Sequence, residues 1–321
     1  MLIALYIFIF LASCFLLGFS SKWLIGALSR IALFFKIKEF VIAFFLMAFA
    51  TTIPNLIVGI ISALHKIPEL SFGDVIGGNI VDLSLVLGLG VLLSKAGIPA
   101  ESRVVQKSSI FTIFIAIFPL LLILDGNLSR VDGFLLLLSF FCYIFWIFSK
   151  RERFTKVYND LTEPLNLKRF FKDFSIIIIG ITLLLAGAQG IIKSASFFSA
   201  AFGLPLSLIG LLIVGLGNCL PETFFVIRAA QKQESWMILG NLMGSVIMCA
   251  TLVLGIVSLI SPITITNFSP FAVARIFMVI SILFFLLYVK TGKKISKNEG
   301  IFLIGIYVLY LLAEIFMRYL S

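Results

Sequence analysis

Two carboxylates, Asp82 and Glu222, sit deep inside long apolar runs of the chain. Placing a charge there costs at least about 2.5 kcal/mol when the surroundings are lipid, so each is a candidate for function. Neither has a Lys or Arg close in sequence to neutralise it. Shifting the sequence by 167 residues lays Asn55 on Glu222 and Asp82 on Cys249, so four heteroatom-bearing positions form two related pairs. Each has a small or polar partner four residues earlier, on the same face of a helix: Thr51 before Asn55, Gly78 before Asp82, Asn218 before Glu222, Ser245 before Cys249. A helical stripe of oxygen atoms is what a hard cation needs to replace its water. Pro54 and Pro221 each remove a backbone hydrogen bond, leaving the carbonyl oxygens of Ala50 and Gly217 available to a cation where they line a cavity.

These positions belong to one stretch written twice. Residues 50–88 and 217–255 align without a gap at the 167-residue offset, matching at Pro54/Pro221, Ile60/Ile227, Ala63/Ala230, Gly73/Gly240, Gly77/Gly244, Ile80/Ile247 and a closing Leu-Val-Leu-Gly. The paired glycines repeat the small-xxx-small spacing that lets helices approach closely in a membrane. Pro on Pro and Gly on Gly in register identify an internal repeat.

The surrounding chain is built for lipid. Over 321 residues it is 61% apolar and 12% charged, with a mean hydropathy of +1.18. A soluble globule needs roughly twice that charge. Ten apolar runs, near 2–20, 39–64, 71–94, 108–124, 131–149, 174–192, 205–230, 236–260, 270–290 and 300–320, are each about long enough to cross a hydrocarbon core of roughly 30 Å as a helix. No alternating strand pattern competes, so the expected fold is an all-α polytopic membrane protein of ten transmembrane helices. The first run has no basic segment before it and continues past Cys14, so it reads as a membrane helix rather than a secretory signal.

The net charge of +10 is a topology signal and not a nucleic-acid site. With the N-terminus outside, 20 of the 25 basic residues fall on the cytoplasmic side, which is the bias membrane insertion imposes. The longest polar segment, 150–173, divides the chain into an N-terminal repeat, 1–149, and a C-terminal repeat, 174–321, of five helices each. Five is odd, so the second copy enters the membrane from the opposite side and the repeats are inverted. Secondary transporters use this plan, with the substrate site near the midplane between the repeats.

Other polar residues have simpler readings. His65, the only histidine, falls in an outer turn and is expected to be solvated. Glu314 and Arg318 stand four apart near the last helix end, as a local ion pair would. The four cysteines lie in apolar runs without paired spacing; disulfides are not expected, and Cys14 and Cys142 read as buried small hydrophobes.

The motifs resemble the alpha-repeats of the cation/calcium antiporter superfamily, the sodium/calcium exchangers and their relatives. That family's pattern runs roughly G-T-S-[LI]-P-E in the first helix and G-[ND]-x-[IL]-G-S-N-[IV]-x-[ND] in the second. Here the copies read Ala50-Thr51-Thr52-Ile53-Pro54-Asn55 with Gly73 to Asp82, and Gly217-Asn218-Cys219-Leu220-Pro221-Glu222 with Gly240 to Cys249. The resemblance implies a metal site drawn from Thr51, Thr52, Asn55, Gly78, Asp82, Asn218, Cys219, Glu222, Ser245 and Cys249. It implies a secondary cation antiporter with alternating access, exchanging calcium for sodium. A monomeric chain in the plasma (inner) membrane is expected, with inorganic cations and lipid as its partners and no cofactor; the lack of a nucleophile–base pattern, of a histidine inside the membrane and of a Gly-rich phosphate loop argues against enzymatic activity.

The departures bear on the ion. Asn55 stands where a glutamate is usual, Cys249 replaces an acid or amide, Gly78 a serine, and Asn218-Cys219 the hydroxyl pair. Two carboxylates still balance one divalent ion, while fewer oxygens weaken calcium binding or change selectivity. A thiolate at Cys249 would be a soft ligand, which keeps a transition metal open. Proton coupling is the alternative, because a carboxylate removed from water and cations favours its protonated form. An intramembrane enzyme using Asp82 and Glu222 as an acid/base pair, and a non-transporting homologue, are the rivals from other classes.

Overall fold

The computed structural model describes residues 2–34, 47–101, 103–149, 167–232, 235–265, 269–292 and 294–319. Backbone groups in lipid must be satisfied within their own segment. Accordingly the apolar runs form ten helices: α1 (Leu2–Phe34), α2 (Met47–Leu64), α3 (Pro68–Leu93), α4 (Arg103–Leu122), α5 (Arg130–Ser149), α6 (Leu167–Phe202), α7 (Leu206–Gln231), α8 (Trp236–Met248, continued through Cys249–Val253 to Ile260), α9 (Ser269–Thr291) and α10 (Lys297–Tyr319). The chain is an all-α, multi-pass membrane protein of two inverted repeats.

Burial orders the helices from the centre outward. In their most apolar stretches, α3 and α8 are 83% and 78% buried, whereas α1 is 17% buried. The motif helices therefore form the core, and the flanking helices face lipid. Cys14 is buried as expected, but Cys142 is exposed, because α5 packs one face inward and turns the face carrying Cys142 outward. All four cysteines are free. His65 is exposed in the α2–α3 turn, with its Nε2 3.3 Å from Nε2 of Gln189. Glu314 is buried, and the side chain of Arg318 lies outside the described residues, as do residues 150–166 of the central polar segment.

α1 and α6 are longer than the apolar runs within them, at 33 and 36 residues. At 1.5 Å per residue each measures roughly 50 Å, so Lys22, Arg30 and Lys193 lie in helix rather than in loops. Residues 167–173 likewise form the first turns of α6. The two helices run alongside one another, with Tyr6 stacked on Phe197 at a centroid distance of 3.9 Å.

Short strands record the inverted symmetry. β1 (Ile98–Pro99), between α3 and α4, pairs antiparallel with β4 (Lys294–Ile295), between α9 and α10. β2 (Asn127–Leu128), between α4 and α5, pairs with β3 (Ile263–Thr264), between α8 and α9. Hydrogen-bonded loops must share a side of the membrane. Each pair joins two loops that the distribution of basic residues assigns to the same side.

Candidate ion-binding site

The glycines of the repeat bring the central helices together. A Cβ on Gly73 would lie 1.8 Å from the carbonyl oxygen of Ser207, and one on Gly77 would lie 1.9 Å from that of Leu211. α3 and α7 thus meet backbone to backbone. On the symmetry-related side, a Cβ on Gly244 would meet the Cβ of Ala48 at 2.5 Å, so α8 and α2 are similarly close.

At the level of Asp82 the helical ladder of α3 widens into a π segment, Asp82–Val86, and α8 does the same at Cys249–Val253. These segments start at paired positions of the repeat. A π turn shifts the ladder by one residue and is frequent at functional sites. The hydroxyl of Ser84 donates to the carbonyl of Ile80, and that of Thr251 to the carbonyl of Ile247 at 2.6 Å, serving acceptors where the register changes. The proline helices differ. Pro54 lies within a continuous α2, whereas α7 is interrupted at Cys219, with φ −79° and ψ 1°, and resumes with Pro221 in its first turn.

Three kinds of cross-repeat contact follow, each with its symmetry mate. Thr51 Oγ1 donates to Asn241 Oδ1 at 3.4 Å, and in the related place Asn218 Nδ2 donates to Asp74 Oδ2 at 2.9 Å. Thr52 Oγ1 donates to Ser245 Oγ at 3.5 Å, and Cys219 Sγ donates to the carbonyl of Gly78 at 3.4 Å. Asn55 Nδ2 donates to Cys249 Sγ at 3.1 Å, and opposite it Glu222 and Asp82 are close enough to repel when both are ionised. Ser245 Oγ donates to Glu222 Oε1 at 3.1 Å and also approaches Asp82. All ten residues expected at the site are buried and belong to this one cluster.

The unusual residue pair Gly78 and Cys219 is complementary in volume. A Cβ on Gly78 would meet the Cys219 sulfur at 3.4 Å, so the sulfur fills space next to the missing side chain.

Asp74 and Asn241 are additional members that the sequence reasoning passed over. They extend the same i, i+4 stripes one step upstream, as Asp74-Gly78-Asp82 and Asn241-Ser245-Cys249, and they coincide at the 167-residue offset. Continuing the stripe rule by one turn would have found both.

Within this cluster five buried oxygens have no hydrogen-bond partner among the described residues: Asn55 Oδ1, Asp74 Oδ1, Asp82 Oδ1, Asn218 Oδ1 and Glu222 Oε2. An unsatisfied buried polar atom normally costs about 1–3 kcal/mol, so a cluster of acceptors calls for a positively charged occupant. Among the described residues no three His, Cys, Asp or Glu side chains gather as a metal-binding group. The set that converges is instead mixed, with amides and hydroxyls around the Asp82 and Glu222 carboxyls and Asp74 at its edge, which suits a hard cation better than a transition metal.

Ser245→Ala removes the hydroxyl that stands between the two carboxyls. Losing one hydrogen bond to a charged group costs about 1.5 kcal/mol, or roughly a tenfold loss of affinity. The variant is expected to raise the cation concentration for half-maximal transport with little change in maximal rate, measured by titrating uptake in proteoliposomes.

Comparison with known proteins agrees with this architecture. The family described as sodium/calcium exchanger protein matches residues 5–149 and 172–316, two stretches separated by the same 167-residue step. An uncharacterized membrane protein of Methanocaldococcus jannaschii is 28% identical over 300 residues, covering 94% of this chain and 95% of the relative. The sodium/calcium exchanger MaX1 of Methanosarcina acetivorans is 25% identical over 328 residues, covering 91% and 93%. Among solved structures, the sodium-calcium exchanger NCX_Mj, soaked with sodium and strontium, superposes with a TM-score of 0.67 at 27% identity, covering 97% of this chain and 98% of that one. With both halves matched by the family and more than nine-tenths of the chain covered by its relatives, the chain belongs to the sodium/calcium exchanger family and is a cation/calcium antiporter.

Proposed function

We propose that the protein exchanges calcium for sodium across the plasma membrane, with both ions using Asp82 and Glu222 in turn. The observation that carries the reading is the pair of buried carboxyls with unpartnered oxygens, Asp82 Oδ1 and Glu222 Oε2, with no basic side chain among the described residues set against either. Two such charges resist crossing a bilayer uncompensated. One divalent ion cancels both, and monovalent ions cancel them in competition with it. That competition couples the two fluxes, because a loaded site crosses more readily than an empty one.

The remaining groups have defined parts. Ser245, Thr51, Thr52, Asn55 and Asn218 supply neutral oxygens. Cys249 and Cys219 serve as neutral space-filling partners of Asn55 and Gly78 rather than as ligands. The units of transport are the two five-helix repeats, 1–149 and 174–321, joined by the polar segment between them, and the break in α7 at Cys219 lets that repeat's site move independently of its continuous counterpart.

The test is radiolabelled calcium uptake into sodium-loaded proteoliposomes. An outward sodium gradient is expected to drive calcium inward, and its collapse to stop uptake. Uptake that ignores the sodium gradient but follows a proton gradient replaces sodium with protons as the coupling ion. Absence of any cation flux in well-folded protein overturns the reading.

A further inference from the structure

Away from the ion site, a cavity of about 470 Å³ opens at the outer ends of α1 and α6, where they meet the α2–α3 turn. Its polar lining is the Lys193 ammonium, the Gln189 amide, the His65 imidazole and the hydroxyls of Ser196 and Tyr6. Each of these groups can donate a hydrogen bond, and no acidic side chain among the described residues lines the cavity. His65 Nε2 lies 3.3 Å from Gln189 Nε2, so the turn and α6 meet on the cavity wall. Ile67 and Phe197 supply apolar surface, with the Phe197 ring held by its stack on Tyr6 at 3.9 Å. A cleft of this size that combines apolar walls with a few convergent polar groups is the form of a small-molecule site.

Donors gathered around a lysine call for an anion that accepts several hydrogen bonds at once, and a phosphate has the oxygens to do so. The neighbouring turns of α6 show what carries the phosphate. Ile178, Thr182, Leu185 and Gln189 follow one another at helical spacing on one face, and Ile178 and Leu185 are 52% and 43% exposed. The hydroxyl of Thr182 donates to the carbonyl of Ile178 at 3.0 Å, so the one polar group on this track is already satisfied. Ile178 and Gln189 are eleven residues apart, about 16 Å along the helix. That is one leaflet of a hydrocarbon core of roughly 30 Å.

We propose that this cavity binds an anionic phospholipid of the outer leaflet, with its phosphate at Lys193, His65 and Gln189 and one acyl chain along the exposed face of α6 from Leu185 to Ile178. A zwitterionic headgroup fits less well, because its ammonium group would meet Lys193 and no carboxylate. Free phosphate would leave the apolar track uncovered. The bound lipid bridges α6 to the turn that joins α2 and α3, the helices carrying Asn55 and Asp82, and so fastens a lipid-facing helix to the core.

The experiment titrates the detergent-purified full chain with phosphatidylglycerol, phosphatidylcholine or inorganic phosphate. Binding is read from the rise in melting temperature that a ligand of the folded state causes, and from lipid retained in native mass spectrometry. Phosphatidylglycerol is expected to stay bound as a single copy and to half-saturate at a concentration roughly tenfold below phosphatidylcholine. Lys193→Gln is expected to raise half-saturating phosphatidylglycerol roughly tenfold. Lys66→Gln is the control, because Lys66 stands beside His65 in the turn but does not line the cavity, and it should stay within about twofold of wild type. Ser196→Phe fills the cavity and should abolish retention; it serves if Lys193→Gln does not fold. An equal rise in melting temperature with inorganic phosphate overturns the lipid assignment in favour of a free anion. Equal retention of phosphatidylcholine, equal weakening by Lys66→Gln and Lys193→Gln, or undiminished retention in Ser196→Phe overturns the site. Binding is read without any flux, so the result is independent of which ions are exchanged.

Discussion

Glu222→Gln is expected to reduce sodium-driven calcium uptake by about two orders of magnitude. The carboxyl is 0% exposed, accepts from Ser245 at 3.1 Å and leaves its other oxygen without a partner. Glutamine matches its size, so packing is retained while one of two charges balancing the ion is lost. Removing one partner from a buried charge cluster costs about 3–5 kcal/mol, and 2.7 kcal/mol is already roughly a hundredfold in affinity. Asp82→Asn should lose a comparable amount, since the two carboxyls face the same ion. The measurement is initial uptake rate in proteoliposomes at matched protein content, with size-exclusion profiles showing that each variant is folded. Uptake within twofold of wild type in both variants would place the ion elsewhere.

The second large effect concerns packing. Gly77→Ala would set a methyl group 1.9 Å from the carbonyl oxygen of Leu211. That oxygen is backbone and cannot rotate aside, so α3 and α7 must separate. The separation would also pull Asp82 away from Glu222. Overpacking costs 1–3 kcal/mol and occasionally more, which outweighs the gain of about 1 kcal/mol that alanine brings to helix propensity. A contact this short belongs at or above the upper end, so the melting temperature of the detergent-purified variant should fall on the order of 5–10 °C. Gly305→Ala is the control. A Cβ there meets nothing within 4 Å, and the same propensity gain should leave the melting temperature unchanged or slightly raised. Equal melting of Gly77→Ala and wild type would show that the helices are not held at backbone contact.

Much of the architecture was legible in the residues. Ten apolar runs, the 167-residue repeat and the one-sided basic charge led to ten helices in two inverted halves. Those are properties of single segments: apolar length sets whether a segment spans, and the parity of the spans between copies sets their relative orientation. Asp82 and Glu222 were also visible, because a carboxylate in an apolar run is costly wherever the helix packs.

Other features depend on which faces meet. Asp74 lies on the stripe that the sequence carries, but its burial and its contact with Asn218 come from the packing of α3 against α7. Cys142 and Cys14 look alike in sequence, yet one faces outward and the other inward. The two prolines occupy equivalent positions, but α7 breaks at Cys219 while α2 continues.

The alpha-repeat carries two carboxylates, Asp82 and Glu222, and their neutral symmetry mates, Cys249 and Asn55. Segment chemistry determined that it crosses a membrane, is inverted and holds buried charge, since hydropathy and charge cost are local and additive. Tertiary structure alone decided that the four pairs converge, that Cys219 fills the space beside Gly78, and that five oxygens are left facing no partner. Satisfaction of a polar atom is a relation between helices, and no single segment contains it.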